Sequence, residues 1–374
     1  MTINVTSAFD GGNIEVIRAD DPQDICLNIE KDNASDFYQW FYFRLTGAKE
    51  EDCRMVLENA KNAAFVGGWE NYRACASYDR KHWFRVETTS YENGQLIINH
   101  KPVQDSIYYA YFAPYSIERH HDRIAEYAQN EGVALRVIGH SIEGQTLDCL
   151  EIGEGDINIW VIARQHPGET MAEWWMDGFI THLIRGQDEA TCTLREKAKL
   201  FIVPNMNPDG SCRGNLRTNV AGANLNREWG VATLEKSPEV VHTVEAMDEN
   251  PPRLCLDVHG DEALPYNFIA GAEGIPGYTE KQAKNLADFL QAYKKSSPDF
   301  QTEKGYGLSA PGEGNLTMCT NFTAHRYDCL AMTLEMPFKD NANRPDDVVG
   351  WSPERSAELG EAVIQAMVNV LDQL

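Results

Sequence analysis

From about Gly12 to Pro114, short alternating or aromatic-rich runs are separated by turn residues: Cys26–Ile29, Gln39–Leu45, Arg54–Leu57, Trp83–Val86, Gln95–Ile98 and Ile107–Phe112. Strands this short and this closely spaced, with no helical period between them, predict an antiparallel β-sandwich. After Pro114 the period changes. Ser116 is suited to cap a helix carrying Ile117, Ile124, Tyr127 and Ala128, with Gly132 as its stop. Strand-like runs follow at Ala134–Ile138, Leu147–Ile152, Ile157–Ala163, Leu200–Val203, Leu254–Val258, Phe268–Ala270 and Leu330–Met336. Helical patterns cover Met171–Ile184, Thr279–Tyr293 and the segment from Pro353, where Leu359, Val363, Met367 and Val370 share one face behind a Ser352 cap. Strands alternating with helices predict an α/β fold whose sheet is largely parallel and covered by helices. The expected organisation is a β-sandwich domain over 1–114 and an α/β domain over 115–374.

Composition agrees with two units, since 374 residues are long for a single core. The chain carries 57 acidic against 33 basic side chains, a formal charge of −24, which repels phosphate backbones and anionic lipid. Neither nucleic acid nor membrane is therefore an expected partner. Met1–Gly12 lack the basic and apolar blocks of a signal or transit peptide, and the most apolar run, Ile157–Ala163, stops at Arg164, far short of the roughly 20 residues a bilayer requires. The expected location is the cytoplasm. The nine cysteines include no Cys-x-x-Cys pair and read as reduced core residues.

The candidate chemistry lies in the second unit. The segment Trp160-Val-Ile-Ala-Arg-Gln-His166-Pro-Gly-Glu169 runs from an apolar strand through a Pro-Gly turn into a helix. This puts His166 at the C-terminal edge of a strand and Glu169 in the first helical turn, where open α/β sheets bind ligands. Ninety residues later, Leu254-Cys-Leu-Asp-Val-His259 sets a second histidine at the end of a buried strand. Two imidazoles and one carboxylate make a zinc set with a fourth position left open, as catalytic sites require. An isolated His-x-x-Glu is common by chance, and a lone histidine is more often a core or loop residue; the joint placement carries the reading. His120, His121, His182 and His242 lack companions at ligand spacing, and Trp174 and Trp175 read as core packing.

These residues resemble the zinc carboxypeptidase family of the funnelin type, and the resemblance spans about Ala134 to Leu374. Its other parts follow in family order: Leu135 through Gly153 as the opening strand pair, Pro204-Asn-Met-Asn-Pro-Asp-Gly210, the run Gly214 through Asn226-Arg227, and Leu330-Ala-Met-Thr-Leu-Glu335. The first unit, with Gln39-Trp-Phe-Tyr-Phe43, is similar to the N-terminal domain of the cytosolic carboxypeptidase subfamily of bacterial type. The resemblance implies one Zn2+ per chain, held by His166, Glu169 and His259. It implies Glu335 as the base that activates water and Arg217 as the carbonyl-polarising arginine, with Arg213 in reserve. Asn226 and Arg227 are implied as the pair that binds the terminal carboxylate of a peptide or protein. Many cytosolic relatives remove acidic residues such as glutamate, and Arg326 is the cation read as favouring them here. The substrate-covering tyrosine is either Tyr306, in the glycine-rich run Gly305–Gly314, or Tyr327. Two other readings stay open: a zinc amidase or deacylase acting on a non-peptide amide, and a zinc-containing binding module without catalysis.

Overall fold

The computed structural model describes residues 3–374. Ten short strands precede the first α-helix: β1 Asn4–Thr6, β2 Glu15–Arg18, β3 Ile25–Asn28, β4 Tyr42–Thr46, β5 Cys53–Leu57, β6 Cys75–Ser77, β7 Phe84–Arg85, β8 Thr89–Glu92, β9 Gln95–His100 and β10 Ser106–Ala110. They form two five-stranded sheets, ordered β1-β4-β10-β6-β7 and β2-β3-β5-β9-β8. Neighbours run antiparallel except β3 and β5, which pair in parallel. Alternation supplies the core: Phe43 stacks on Tyr109 across β4 and β10, with ring centroids 5.4 Å apart, and both are fully buried.

The remaining strands build one seven-stranded sheet. They are β11 Val133–His140, β12 Thr146–Ile152, β13 Ile157–Ala163, β14 Ala198–Val203, β15 Leu254–Asp261, β16 Phe268–Ala270 and β17 Leu330–Pro337, in the order β11-β12-β14-β13-β15-β17-β16. The inner four, β14, β13, β15 and β17, are parallel, and antiparallel strands flank them on both sides. β15 and β17 are buried at every position, which is why they open on continuous apolar stretches, Leu254–Leu256 and Leu330–Met332, rather than alternating ones.

Among the described residues eight α-helices surround this sheet: α1 Ile117–Tyr127, α2 Met171–Arg185, α3 Glu189–Lys197, α4 Pro208–Arg213, α5 Pro238–Glu249, α6 Glu280–Ser296, α7 Cys319–Tyr327 and α8 Pro353–Val370. The caps expected at Ser116 and Ser352 are in place: Ser116 Oγ accepts from Arg119 N at 3.1 Å, and Ser352 Oγ from Arg355 N at 3.3 Å. α1 ends at Tyr127, ahead of Gly132, which instead takes φ +78° in the turn into β11. Gly178 and Gly360 let α2 and α8 meet closely; a Cβ on Gly178 would lie 2.0 Å from Ala357 O. Among the described residues, no helix is long and apolar enough to cross a membrane.

Glu239, near the start of α5, is buried, and its carboxylate accepts from Asn219 Nδ2 at 3.2 Å. Burial pushes its pKa up to about 7, against the pull of that bond. The folded protein thus holds a proton there that the unfolded chain releases above the usual glutamate range. The associated stability is complete below about pH 4.5 and is lost as pH rises through about 7. Glu239→Gln is expected to gain on the order of 2 kcal/mol relative to wild type between pH 4.5 and 8. Urea unfolding at both pH values reads this directly, and a stability gap that stays constant with pH would contradict it.

Candidate metal centre and substrate cavity

The parallel strands deliver their chemistry at their C-terminal ends. β13 ends at Ala163, and the next residue, Arg164, turns the chain with φ +60°. This conformation is costly for a residue with a Cβ, and surrounding bonds hold it. Arg164 Nε donates to Pro167 O at 2.7 Å, and its guanidinium pairs with buried Glu173 on α2. The turn that follows carries His166 and Glu169.

His259 comes from β15, where it faces Glu335 of β17 in register. Donor atoms of His166, Glu169 and His259 all lie within 4.8 Å of one another, and all three residues are buried. Glu169 bridges the two rings, Oε1 lying 2.6 Å from His166 Nδ1 and Oε2 2.7 Å from His259 Nδ1. The outer nitrogens are occupied as well: His259 Nε2 lies 2.9 Å from Asp257 Oδ2, and His166 Nε2 3.0 Å from Asn224 Oδ1. Gln165 Nε2 donates to the same Asp257 oxygen at 2.6 Å. Histidine ligands usually have their second nitrogen fixed by a carboxylate or carbonyl in this way, which leaves both Nδ1 atoms to face the same point. Two imidazole nitrogens and a carboxylate, without thiolate, suit catalytic zinc. The donor set and its supports therefore fit the metal.

Charge in the cluster is unevenly shared. Burial, helped by the nearby Arg217 guanidinium, pushes His166 down to about 4, so its ring is neutral and ready to ligate at ordinary pH. Burial alone would raise Glu169, but the two imidazoles overcome it and hold the carboxyl well below its usual range. Glu335 moves the other way. Burial raises it strongly, Glu169, Asp261 and Glu262 add to the rise, and His259 opposes it. Its Oε2 is buried without a hydrogen-bond partner among the described residues.

Beside the cluster lies a cavity of about 410 Å3, lined by Glu335 and Thr333 of β17, Asn226, residues of β16 and α7, and the loop through Tyr306. Asn226 Oδ1 accepts from Cys319 N at 2.8 Å, which fixes the amide and leaves its Nδ2 donors to the cavity. Arg227 follows it at the surface, with its pKa lowered by partial burial and by Arg217. Tyr306 also lines the cavity and donates to Asp261 Oδ2 at 2.5 Å, whereas Tyr327 donates to Asp248 on the outer surface. Of the two tyrosines, Tyr306 is the one beside the site.

Two arginines named from the sequence lie elsewhere. Arg326 extends from the end of α7 to Asp248 at 2.8 Å and does not line the cavity. Nine residues before Glu335, it faces outward because the chain leaves α7 through Asp328, at φ +51°, before entering β17. Arg213 is exposed and paired with Glu143. Besides Glu335, the charged residues that do line the cavity are Lys304, Glu273 and Glu303, and Glu303 is paired with Lys294. Sequence reading missed Asp257, Gln165 and Asn224. Asp257 alone left a signal, lying two residues before His259 on the same strand and so on the same face.

Two histidines and a carboxylate around one point, with a free buried glutamate next to them at the end of a parallel sheet, define a mononuclear metallohydrolase centre. Residues 120–347 match the zinc carboxypeptidase family, and residues 5–112 match the cytosolic carboxypeptidase N-terminal domain. The crystal structure of a metallo-carboxypeptidase from Burkholderia cenocepacia superposes with a TM-score of 0.97 at 47% identity, covering 100% of both chains. A metallo-carboxypeptidase from Pseudomonas aeruginosa, in complex with (2-guanidinoethylmercapto)succinic acid, gives 0.96 at 42% identity over 99% of each chain. Mouse cytosolic carboxypeptidase 1 is 25% identical over 323 residues, which make up 72% of this chain and 26% of that protein. The chain belongs to the zinc carboxypeptidase family and is a metallocarboxypeptidase, a hydrolase that uses one zinc ion.

Proposed function

We propose that the chain is a cytoplasmic enzyme that removes single residues from the C-termini of peptides or proteins. The observation that carries this reading is that Glu335 and the fixed Asn226 amide line one cavity beside the ligand cluster. A pocket with a base at one side and a carboxylate-binding amide at the other fits a chain end. His166, Glu169 and His259 would hold the zinc, which would supply Lewis acidity for polarising a carbonyl and acidifying water. Glu335 takes the proton from the attacking water and returns it to the leaving amine. Its burial at the cavity and its unpartnered Oε2 suit a group that accepts a proton inside the site and then gives it up. Arg217 stabilises the charge that develops on the attacked carbonyl oxygen. Asn226 and Arg227 bind the terminal carboxylate, and the dicarboxylic acid bound by the Pseudomonas relative supports a carboxylate subsite.

The finer reading, a preference for acidic C-terminal residues, moves from Arg326 to Lys304. Lys304 lines the cavity and makes no ion pair among the described residues, while Glu273 lines it with opposite charge. Lys304→Ala is expected to lower kcat/KM for glutamate-ended peptides by about tenfold, Glu273→Gln to raise it, and Arg326→Ala to leave it unchanged. Loss of release from lysine-ended peptides in Glu273→Gln would reverse the assigned preference.

The test of the function itself is a panel of peptides ending in Glu, Asp, Lys, Phe or Ala, each with a C-terminally amidated counterpart, incubated with zinc-loaded protein. Release from free-acid peptides alone is expected. Equal cleavage of the amidated set would remove the carboxylate subsite, and no cleavage of any peptide would remove the peptidase reading.

A further inference from the structure

Between α4 and the short turn Leu225–Arg227, the chain runs through residues 214–224 without helix or strand. This stretch carries Arg217, whose side chain makes no hydrogen bond or ion pair among the described residues. Something outside the peptidase sheet must therefore fix its position, and the β-module does so. The carboxylate of Asp32, only 4% exposed, accepts three consecutive backbone N–H groups of the stretch. Leu216 N donates to Oδ1 at 2.6 Å, and Arg217 N and Thr218 N donate to Oδ2 at 2.8 and 2.9 Å. Thr218 Oγ1 adds a fourth bond at 3.2 Å.

Charge-assisted bonds to a buried carboxylate are among the strongest available to a loop backbone. The contact continues to the metal turn, where Gly168, between His166 and Glu169, donates its N–H to Leu216 O at 2.8 Å. A Cβ at Gly168 would lie 2.9 Å from that oxygen, so the two segments are in direct backbone contact.

The side chain is held by a different means. The Arg217 guanidinium carbon lies 5.1 Å from the ring centre of Phe65 and 5.8 Å from that of Phe37, both from the β-module. Aromatic faces attract a guanidinium without using its in-plane N–H donors, so all five remain free for an oxygen of the substrate. A carboxylate partner would fix the same side chain but occupy the donors catalysis needs.

We infer that the N-terminal β-module is a positioning element of the catalytic centre, with Asp32 fixing the backbone of the Arg217 loop and Phe65 and Phe37 holding its guanidinium. This rests on the role given to Arg217 above. Asp32 and Phe65 act through Arg217 and touch neither substrate nor metal, so their effect should fall on kcat and should vanish when Arg217 is gone.

A double-mutant cycle on the full-length zinc-loaded protein tests this, using the best peptide of the panel and measuring zinc per chain for each variant. Asp32→Asn is expected to lower kcat by about tenfold or more with KM within about twofold, since small misplacements of a catalytic group are costly. Phe65→Leu, at a half-buried position that should fold without difficulty, is expected to lower kcat about threefold. In an Arg217→Ala background each should cost less than about twofold further, and zinc should stay near one per chain.

Equal losses in both backgrounds, or loss of zinc that tracks the loss of rate, would make the module a structural support and overturn the inference. Should Asp32→Asn not fold, Phe65→Leu decides the matter on the same criterion. A harmless Arg217→Ala would instead remove the catalytic role of Arg217, an outcome separate from one in which Arg217 matters and the β-module does not.

Discussion

Glu335→Gln is expected to lower kcat by about a thousandfold while zinc stays bound and KM changes little. Glutamine has almost the same shape, so the packing of β17 against β15 and β16 should survive, and the substitution removes only the capacity to accept a proton. The position makes this a clean experiment, because Glu335 lies opposite His259 in the sheet register yet is not among the three residues whose donor atoms cluster. Its carboxyl is buried beside Glu169, Asp261 and Glu262, where ionisation is costly, and an amide cannot ionise there. A small rise in thermal stability should therefore accompany the loss of rate, a combination seen when a buried titratable group is kept for function at a cost in stability. Retention of more than about a tenth of wild-type kcat would move the base to another residue. The next candidates are Asp261 and Glu262, which lie close enough to raise the Glu335 carboxyl.

What the sequence disclosed depended on the range of each interaction. The strands of the sheet were legible because β13, β15 and β17 are almost entirely buried and carry long apolar stretches, with the polar residues of β15 and β17 falling after their first three positions. His166 stood out just beyond such a run and His259 near the end of one. Glu335 was legible in the same way, as a lone carboxylate inside Leu330–Pro337. Helices α3, α4 and α7 were missed and α5 was given no bounds; α7, Cys319–Tyr327, carries threonine, asparagine and histidine with no clear apolar period. The supports of the site were mostly invisible because they join distant parts of the chain. Asp32 reaches Leu216 across 184 positions, and Asn224 reaches His166 across 58. No local pattern marks an aspartate as the anchor of a loop so far away. Arg326 shows the reverse error: it was chosen for lying near Glu335 in the sequence, but α7 ends in a left-handed Asp328 and the guanidinium pairs with Asp248.

His166→Ala should act on the metal itself, in contrast to Glu335→Gln. With one of three donors gone and Glu169 left without one of its two imidazole partners, zinc occupancy is expected to fall from one per chain to below about a tenth at micromolar free zinc. Activity should fall to background with it. Zinc bound only by the folded state stabilises it, so wild type should lose several degrees of Tm on chelation while His166→Ala should lose almost none. Asp257→Asn separates ligand from support. Asp257 touches His259 only through Nε2, at 2.9 Å, and its loss is expected to weaken zinc binding by about 10- to 100-fold, so activity should return when zinc is added in excess. Rescue of Asp257→Asn by excess zinc, without rescue of His166→Ala, would place the two residues in successive shells around the metal. If His166→Ala keeps full zinc content, the metal lies elsewhere, and the buried cluster of His166, Glu169 and His259 is a structural network of hydrogen bonds instead.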